Sequence, residues 1–147
     1  RWAAQFFTRA DLPCEVTDDV ESALWTKAIV NAAINPLTAL TGRPNGELLE
    51  HDDLRRTLGL VAEEAAAVAH ACGVAVPAGI VEVVEGVCRQ TAENRSSMLQ
   101  DVTAGRRTEV DYISGEIARR ALAQGMGAPL CTALAALVND RGRRPRR

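Results

Sequence analysis

Residues 24–36, with the sequence LWTKAIVNAAINP, decide the fold, because a polar stripe runs along an otherwise apolar segment. Lys27, Asn31 and Asn35 are spaced four residues apart, and this spacing places side chains on one face of an α-helix. The remaining residues are mostly apolar and favour burial of the helix in a core. Polar side chains in such a helix must face either a polar cleft or internal hydrogen-bond partners. The segment therefore predicts a largely buried helix that carries a ligand site.

Lys27 is the only lysine of the chain, which otherwise uses arginine. Arginine stays protonated at any biological pH, whereas a partly desolvated lysine can pass a proton to a substrate. The alternative interpretation is a surface residue whose isolation reflects an arginine-rich composition. The two asparagines in phase with Lys27 favour a functional role.

The composition predicts one all-α domain. The chain has 147 residues, many alanines and leucines, and only 3% aromatic residues, which favours helices over strands. The net charge of −2 argues against a generally basic nucleic-acid-binding protein, although residues 141–147, RGRRPRR, form a basic segment. We predict that this segment is a disordered tail, and DNA binding through it is a third functional hypothesis.

No apolar run is long enough to span a membrane, so we expect a cytoplasmic protein. Because the first residue is Arg1 and not methionine, we also expect a fragment or a processed product.

The cysteines and histidines predict no metal site. Cys14, Cys72, Cys88 and Cys131 are widely separated and lack histidines at ligand spacing. We expect buried free thiols in a reducing compartment. We expect His51 and His70 to lie on the surface.

Capping and breaker residues predict the limits of the helices. Asp18 and Glu21 form a plausible capping pair for the helix that carries Lys27, which Pro36 should kink before the helix ends near Gly42. The other predicted elements are a helix end at residues 1–10, an extended piece at 14–17, and helices from Asp52 to Gly73, from Pro77, over 107–124 and from Pro129.

Two long motifs resemble those of the ketopantoate reductases (2-dehydropantoate 2-reductases). The first comprises residues 24–27, Asn31, residues 35–40 (NPLTAL) and Asn45-Gly46. The second comprises residues 94–101 (NRSSMLQD) and 105–115 (GRRTEVDYISG), with Ser114 where the family usually has asparagine. The resemblance extends from Phe6 to about Val138, and Ser114 suggests a slightly different substrate preference.

The resemblance implies a multi-helix bundle of the 6-phosphogluconate dehydrogenase C-terminal-domain-like type. Residues 1–140 would form the substrate-binding and catalytic domain of an enzyme that reduces ketopantoate to pantoate with NADPH, in the biosynthesis of pantothenate and coenzyme A. The cofactor would be bound mainly by an N-terminal Rossmann domain, whose glycine-rich turn is absent from this sequence. The isolated chain would then be inactive. The implied partners are a small 2-oxo acid and the Rossmann domain, and the apolar surface would also suit a homodimer.

The resemblance also assigns five site residues. Lys27 matches the catalytic lysine that donates a proton to the ketone oxygen, and Glu109 matches an acid that holds the substrate hydroxyl and tunes the lysine. Asn31 and Asn35 match substrate-binding amides, and Ser97 matches a serine that binds the substrate carboxylate.

Each of these assignments has a structural alternative. The asparagines would cross-link helices, Ser97 would be a helix N-cap, and Glu109 would complement a helix dipole or pair with Arg106. If all the polar residues are structural, the chain is a helical dimerisation or interaction module without catalysis.

Overall fold

The computed structural model describes residues 9–10, 17 and 19–143, and within them it contains helices but no strand. The all-α prediction is confirmed. Residues 1–8 and 11–16, which carry most of the predicted N-terminal helix end and extended piece, lie outside the described residues, as does Cys14. The elements are α1 (Val20–Thr41), a 3₁₀ helix (Gly46–Leu49), α2 (Asp52–Ala71), α3 (Ile80–Gln90), α4 (Ser97–Ala104), α5 (Val110–Ala123) and α6 (Pro129–Arg143).

Helix α1 is the centre of the bundle and contacts all five other helices. Residues 32–39 are buried without interruption, as expected for a helix surrounded by others. The helix continues through Pro36, although proline lacks the amide that would bond the carbonyl four residues earlier. It ends at Gly42, whose left-handed φ of 78° and N–H bond to the Thr38 carbonyl (2.8 Å) close the last turn.

The helix starts differ in detail from those predicted. Asp19 caps α1 by accepting the Ser22 amide at 2.9 Å, and Asp18 lies outside the described residues. The helix predicted to begin at Pro77 begins at Ile80, because Gly79 adopts a non-helical conformation at the N-cap. Asp52 is the first residue of α2 rather than its cap.

Helix α6 is held at both ends by distant residues. The Glu64 carboxylate of α2 accepts the amides of Leu130 and Cys131 at 3.0 and 2.8 Å, which caps the first turn of α6. At the other end, the Arg141 guanidinium donates to the Leu40 carbonyl at 2.9 Å. Helix α6 therefore extends three residues into the segment predicted as a tail, and residues 144–147 lie outside the described part.

Cys72, Cys88 and Cys131 are free thiols, and the last two are fully buried. Burial raises the pKa of Cys88 to about 11 and that of Cys131 to about 12, so both are protonated near neutral pH. None of the described helices combines the length and apolarity needed to cross a membrane.

A buried carboxylate joins α2 to α3. Glu85 is 8% exposed and accepts both the Nε (2.6 Å) and the Nη2 (2.8 Å) of Arg55. Arg89, one turn further along α3, donates to the same carboxylate. The hydrogen bond from Arg55 lowers the pKa of Glu85 below its ordinary value of 4.5. A carboxyl whose pKa is lower in the folded than in the unfolded state stabilises the fold only while it is ionised.

We expect Glu85→Gln to lower the free energy of unfolding at neutral pH, because two arginines lose a charged acceptor. Since the pKa falls on folding, the difference from the unmodified protein should be complete above pH 4.5 and should shrink as the pH falls through the folded-state pKa. Denaturant titrations between pH 7 and pH 3 measure this difference. Glu63→Gln, at an exposed position of α2 without an ion pair among the described residues, is the control. A pH-independent difference would contradict the prediction.

Gly46 allows the 3₁₀ helix to contact the loop before α4. Its amide donates to the Ala92 carbonyl at 3.0 Å, and the Asn45 amide donates to the Asn94 carbonyl at 3.0 Å. A Cβ on residue 46 would lie 2.7 Å from the Cβ and 2.9 Å from the Cα of Ala92. Only glycine fits where the backbone of residue 46 comes this close to Ala92.

We expect Gly46→Ala to lower the free energy of unfolding by about 1–3 kcal/mol, the usual cost of overpacking. Gly86→Ala is the matched control, because residue 86 lies within α3 and has open space where a Cβ would lie. There the same change should stabilise the protein by about 0.5–1 kcal/mol, since alanine favours helix. Urea unfolding of both variants measures the contrast, and equal shifts in the same direction would show that the contact with Ala92 is not restrictive.

Candidate functional site

One cleft brings together three of the five predicted site residues. Asn35 of α1, Ser97 of α4 and Glu109 at the start of α5 line a cavity of about 140 Å³. They come from three helices and are separated by up to 74 positions in the chain, so only the fold unites them. The cleft is completed by Met98, Asp101 and Ile113.

The three residues differ in exposure. Asn35 is only 8% exposed, whereas Ser97 and Glu109 are exposed. Ser97 is not the N-cap of α4, because that position is taken by Ser96, which accepts the Leu99 amide at 3.1 Å. Glu109 occupies the N-cap position of α5, but its carboxylate makes no capping hydrogen bond.

The first turn of α4 supplies donors to the cleft. Its first two amides, on Ser97 and Met98, have no acceptor within the helix, and both residues line the cavity. Together with the Ser97 hydroxyl and the positive end of the helix dipole, they suit an anionic group.

Lys27 and Asn31 lie on α1 but do not line this cavity. They precede Asn35 by eight and four residues, which places Lys27 about 12 Å along the helix axis from Asn35. Asn31 is partly buried and Lys27 is exposed. Within the described part of the chain, no hydrogen bond or ion pair involves the Lys27 amine. The structure therefore unites Asn35, Ser97 and Glu109, and leaves the lysine at the open end of the stripe.

Asp101 of the second motif also lines the cleft, although the sequence indicated no role for it. Arg106 binds it through Nε at 2.9 Å and through Nη2 at 2.8 Å. Arg106 is thus the partner of Asp101 and not of Glu109. The signal in the sequence was the place of Asp101 one helical turn after Ser97.

Two buried polar atoms lack a hydrogen-bond partner among the described residues, Asn45 Oδ1 and Ser114 Oγ. Asn45 is anchored through its Nδ2, which donates to Thr91 Oγ1 at 2.9 Å. Ser114 is fully buried within α5 and does not line the cleft. A direct effect of Ser114 on the substrate, which the sequence suggested, has no support in this geometry.

An apolar groove adjoins the cleft. It lies between the first half of α1 and α5, has a volume of about 160 Å³, and shares Ile113 with the cleft. On its α1 side Leu24 is 62% exposed, and on its α5 side Tyr112 is 74% exposed. The Arg120 guanidinium lies 5.4 Å from the centre of the Trp25 ring.

The described residues contain no cluster of three or more histidine, cysteine or acidic side chains that would hold a metal ion.

Comparison with known proteins gives one family. Residues 19–142 match the family model described as ketopantoate reductase PanE/ApbA C terminal. The chain is 41% identical over 117 residues to the 2-dehydropantoate 2-reductase of Archaeoglobus fulgidus, which covers 80% of this chain and 39% of that protein. It is 45% identical over 113 residues to the Salmonella typhi 2-dehydropantoate 2-reductase, covering 76% and 36%. The chain thus spans less than half the length of these relatives.

Solved structures agree with this assignment. A ketopantoate reductase of the PanE/ApbA family from Ralstonia eutropha superposes with a TM-score of 0.86 at 36% identity, over 95% of this chain and 47% of that one. D-mandelate dehydrogenase in complex with NADH and anilino(oxo)acetate reaches a TM-score of 0.89 over 96% of this chain and 59% of that one, but at 24% identity it shows the fold alone. The sequence motifs, the helical bundle and the family model agree that this chain belongs to the ketopantoate reductase family and corresponds to its C-terminal domain.

Proposed function

We propose that this chain is the substrate-binding and proton-donating part of an NADPH-dependent 2-oxo acid reductase, and that its substrate is 2-dehydropantoate. The observation that carries the proposal is the convergence of Asn35, Ser97 and Glu109 in one cleft. The choice of 2-dehydropantoate as the substrate is supported by curated relatives named 2-dehydropantoate 2-reductase.

The cleft suits a small acid that also carries a hydroxyl group. In the proposal the Ser97 hydroxyl and the free amides at the start of α4 bind the substrate carboxylate. The Glu109 carboxylate accepts a hydrogen bond from the substrate hydroxyl, and the Asn35 amide can donate or accept as the bound group requires. Arg106 neutralises the neighbouring Asp101, which limits the repulsion of an anionic substrate.

Lys27 is the proposed proton donor. Reduction of a ketone builds negative charge on its oxygen, and an ammonium at hydrogen-bond distance stabilises that charge and then neutralises it by giving up a proton. Asn31, one turn away towards Asn35, would hold the substrate between the lysine and the cleft. The hydride for the carbonyl carbon is supplied by the nicotinamide when the cofactor is bound.

The described residues form only one wall of such a site. The cleft is smaller than the roughly 300–1,000 Å³ usual for a ligand pocket. Val20 and Leu24, within two turns of Lys27, are 60% and 62% exposed, and adjoining exposed apolar side chains suit an interface. In the proposal a second domain covers this face and completes the site around Lys27.

The cofactor-binding residues belong to that second domain. The described chain has no strand and therefore no glycine-rich strand-to-helix turn that would seat a dinucleotide. We accordingly expect the isolated chain to be inactive. The cytoplasmic location and the homodimer stay predictions from the sequence.

The test is Lys27→Ala in the complete protein, with any coding sequence upstream of Arg1 included. We expect kcat for 2-dehydropantoate reduction with NADPH to fall roughly a hundred- to ten-thousand-fold, the range of a lost general acid. The far-ultraviolet circular dichroism spectrum and the Tm should be unchanged, because the Lys27 side chain makes no hydrogen bond or ion pair with the described residues.

Arg56→Ala is the control, since it removes one positive charge from an exposed position of α2 outside the cleft. It should leave kcat unaltered. Normal turnover by the Lys27→Ala protein would overturn the catalytic assignment.

A further inference from the structure

Two hydroxyl groups meet directly behind the cleft. Thr38 of α1 is fully buried and Ser96, the N-cap of α4, is 7% exposed. Their oxygens lie 2.6 Å apart, although the residues are 58 positions apart in the sequence. Neither residue lines the cavity.

The other partners of the two hydroxyls fix the direction of this hydrogen bond. Thr38 Oγ1 donates its single proton to the Asn35 carbonyl at 2.9 Å. Ser96 must therefore donate to Thr38, while its lone pair accepts the Leu99 amide at 3.1 Å. The result is a continuous chain of hydrogen bonds from the Leu99 amide through Ser96 and Thr38 to the Asn35 carbonyl.

The ends of this chain carry the groups that line the cleft. One end is the backbone of Asn35, whose side chain lies in the cavity. The other end is the first turn of α4, with Ser97 and the free amides proposed to bind the carboxylate. A buried hydroxyl that loses its partner carries a large desolvation cost, so the two segments are held at one separation.

We propose that Thr38 and Ser96 are positioning residues that set the distance between Asn35 and the carboxylate-binding turn of α4. This inference rests on the proposed function, because it assigns the same cleft to the 2-oxo acid. The two residues act through Asn35 and Ser97 and touch no substrate. Breaking this chain of hydrogen bonds should therefore weaken the binding of the 2-oxo acid more than it slows the proton transfer at Lys27.

The first experiment compares Thr38→Val with Thr38→Ser in the complete protein. Valine has the shape of threonine but no hydroxyl, whereas serine keeps the hydroxyl. We expect Thr38→Val to raise the KM for the 2-oxo acid about tenfold, with a much smaller change in kcat and no change in the KM for NADPH. Thr38→Ser should restore the KM to within about twofold of the unmodified protein.

Ile29→Val separates positioning from general stability. Ile29 is a fully buried residue of α1 that makes no polar contact through its side chain. This variant therefore loses packing without disturbing the chain of hydrogen bonds. Its Tm should fall, but its KM for the 2-oxo acid should not change. An equal rise of KM in Ile29→Val and Thr38→Val would show that the effect is structural only, and would overturn the proposal.

Ser96→Ala provides the second variant, so that the proposal does not depend on Thr38→Val folding. It should raise the same KM. The KM of the double variant should be no higher than that of the more impaired single variant, because both changes break the same chain of hydrogen bonds. Additive effects on KM would contradict a shared chain of hydrogen bonds.

The two proposals can fail separately. If the unmodified complete protein reduces no 2-oxo acid, the proposed function itself fails. An active enzyme whose KM is unchanged by Thr38→Val and Ser96→Ala contradicts only the positioning role.

Discussion

The hydrogen bond between Thr38 and Ser96 is the constraint on which the proposed site depends. It joins the two motif segments inside the protein, where an unpaired hydroxyl would be costly. Around it, the amides of Asn45 and Gly46 bond the loop that leads into α4. The two motifs are therefore parts of one hydrogen-bonded unit, and this unit holds Ser97 opposite Asn35. Packing of α1 against the other helices makes the core, and these polar contacts connect it to the start of α4.

The distribution of exposure on α1 indicates what kind of surface the domain presents. The second half of the helix is buried from residue 32 to residue 39, whereas Val20, Leu24 and Lys27 in the first half are exposed. The apolar groove and the polar cleft meet at Ile113. In the proposal, the second domain covers the groove, the cleft and Lys27 together. The proposed catalytic role of the exposed Lys27 therefore requires that second domain.

The sequence predicted the features that depend on local periodicity. It did not predict the helix boundaries and contacts that depend on residues distant in the sequence. The four-residue spacing of Lys27, Asn31 and Asn35 predicted that they share a helix. The family resemblance indicated Ser97 and Glu109 as candidate residues, and the fold places both in one cleft with Asn35. The start of α3 was misplaced at Pro77, because a proline is compatible with several turn conformations and the backbone of Gly79 sets the boundary. The cap that Glu64 supplies to α6 joins residues 66 positions apart, and no local pattern indicates it. The pairing of Thr38 with Ser96 has the same origin, since both residues belong to motifs whose spatial relation only the fold defines.

The polarity of the cleft follows from these distant contacts and gives the substrate a single orientation in the proposal. Donors lie at the first turn of α4, a carboxylate without a capping bond lies at Glu109, and the amine lies at the open end of the α1 stripe. An anionic group is attracted to the α4 donors and to the Lys27 amine, and is repelled by the Glu109 carboxylate. A 2-oxo acid with a hydroxyl group satisfies all three when its carboxylate faces α4 and its ketone faces Lys27. In the proposal, Ser96 as the N-cap of α4 fixes the position of Ser97, and the hydroxyl chain behind the cleft therefore sets which end of the substrate faces Lys27.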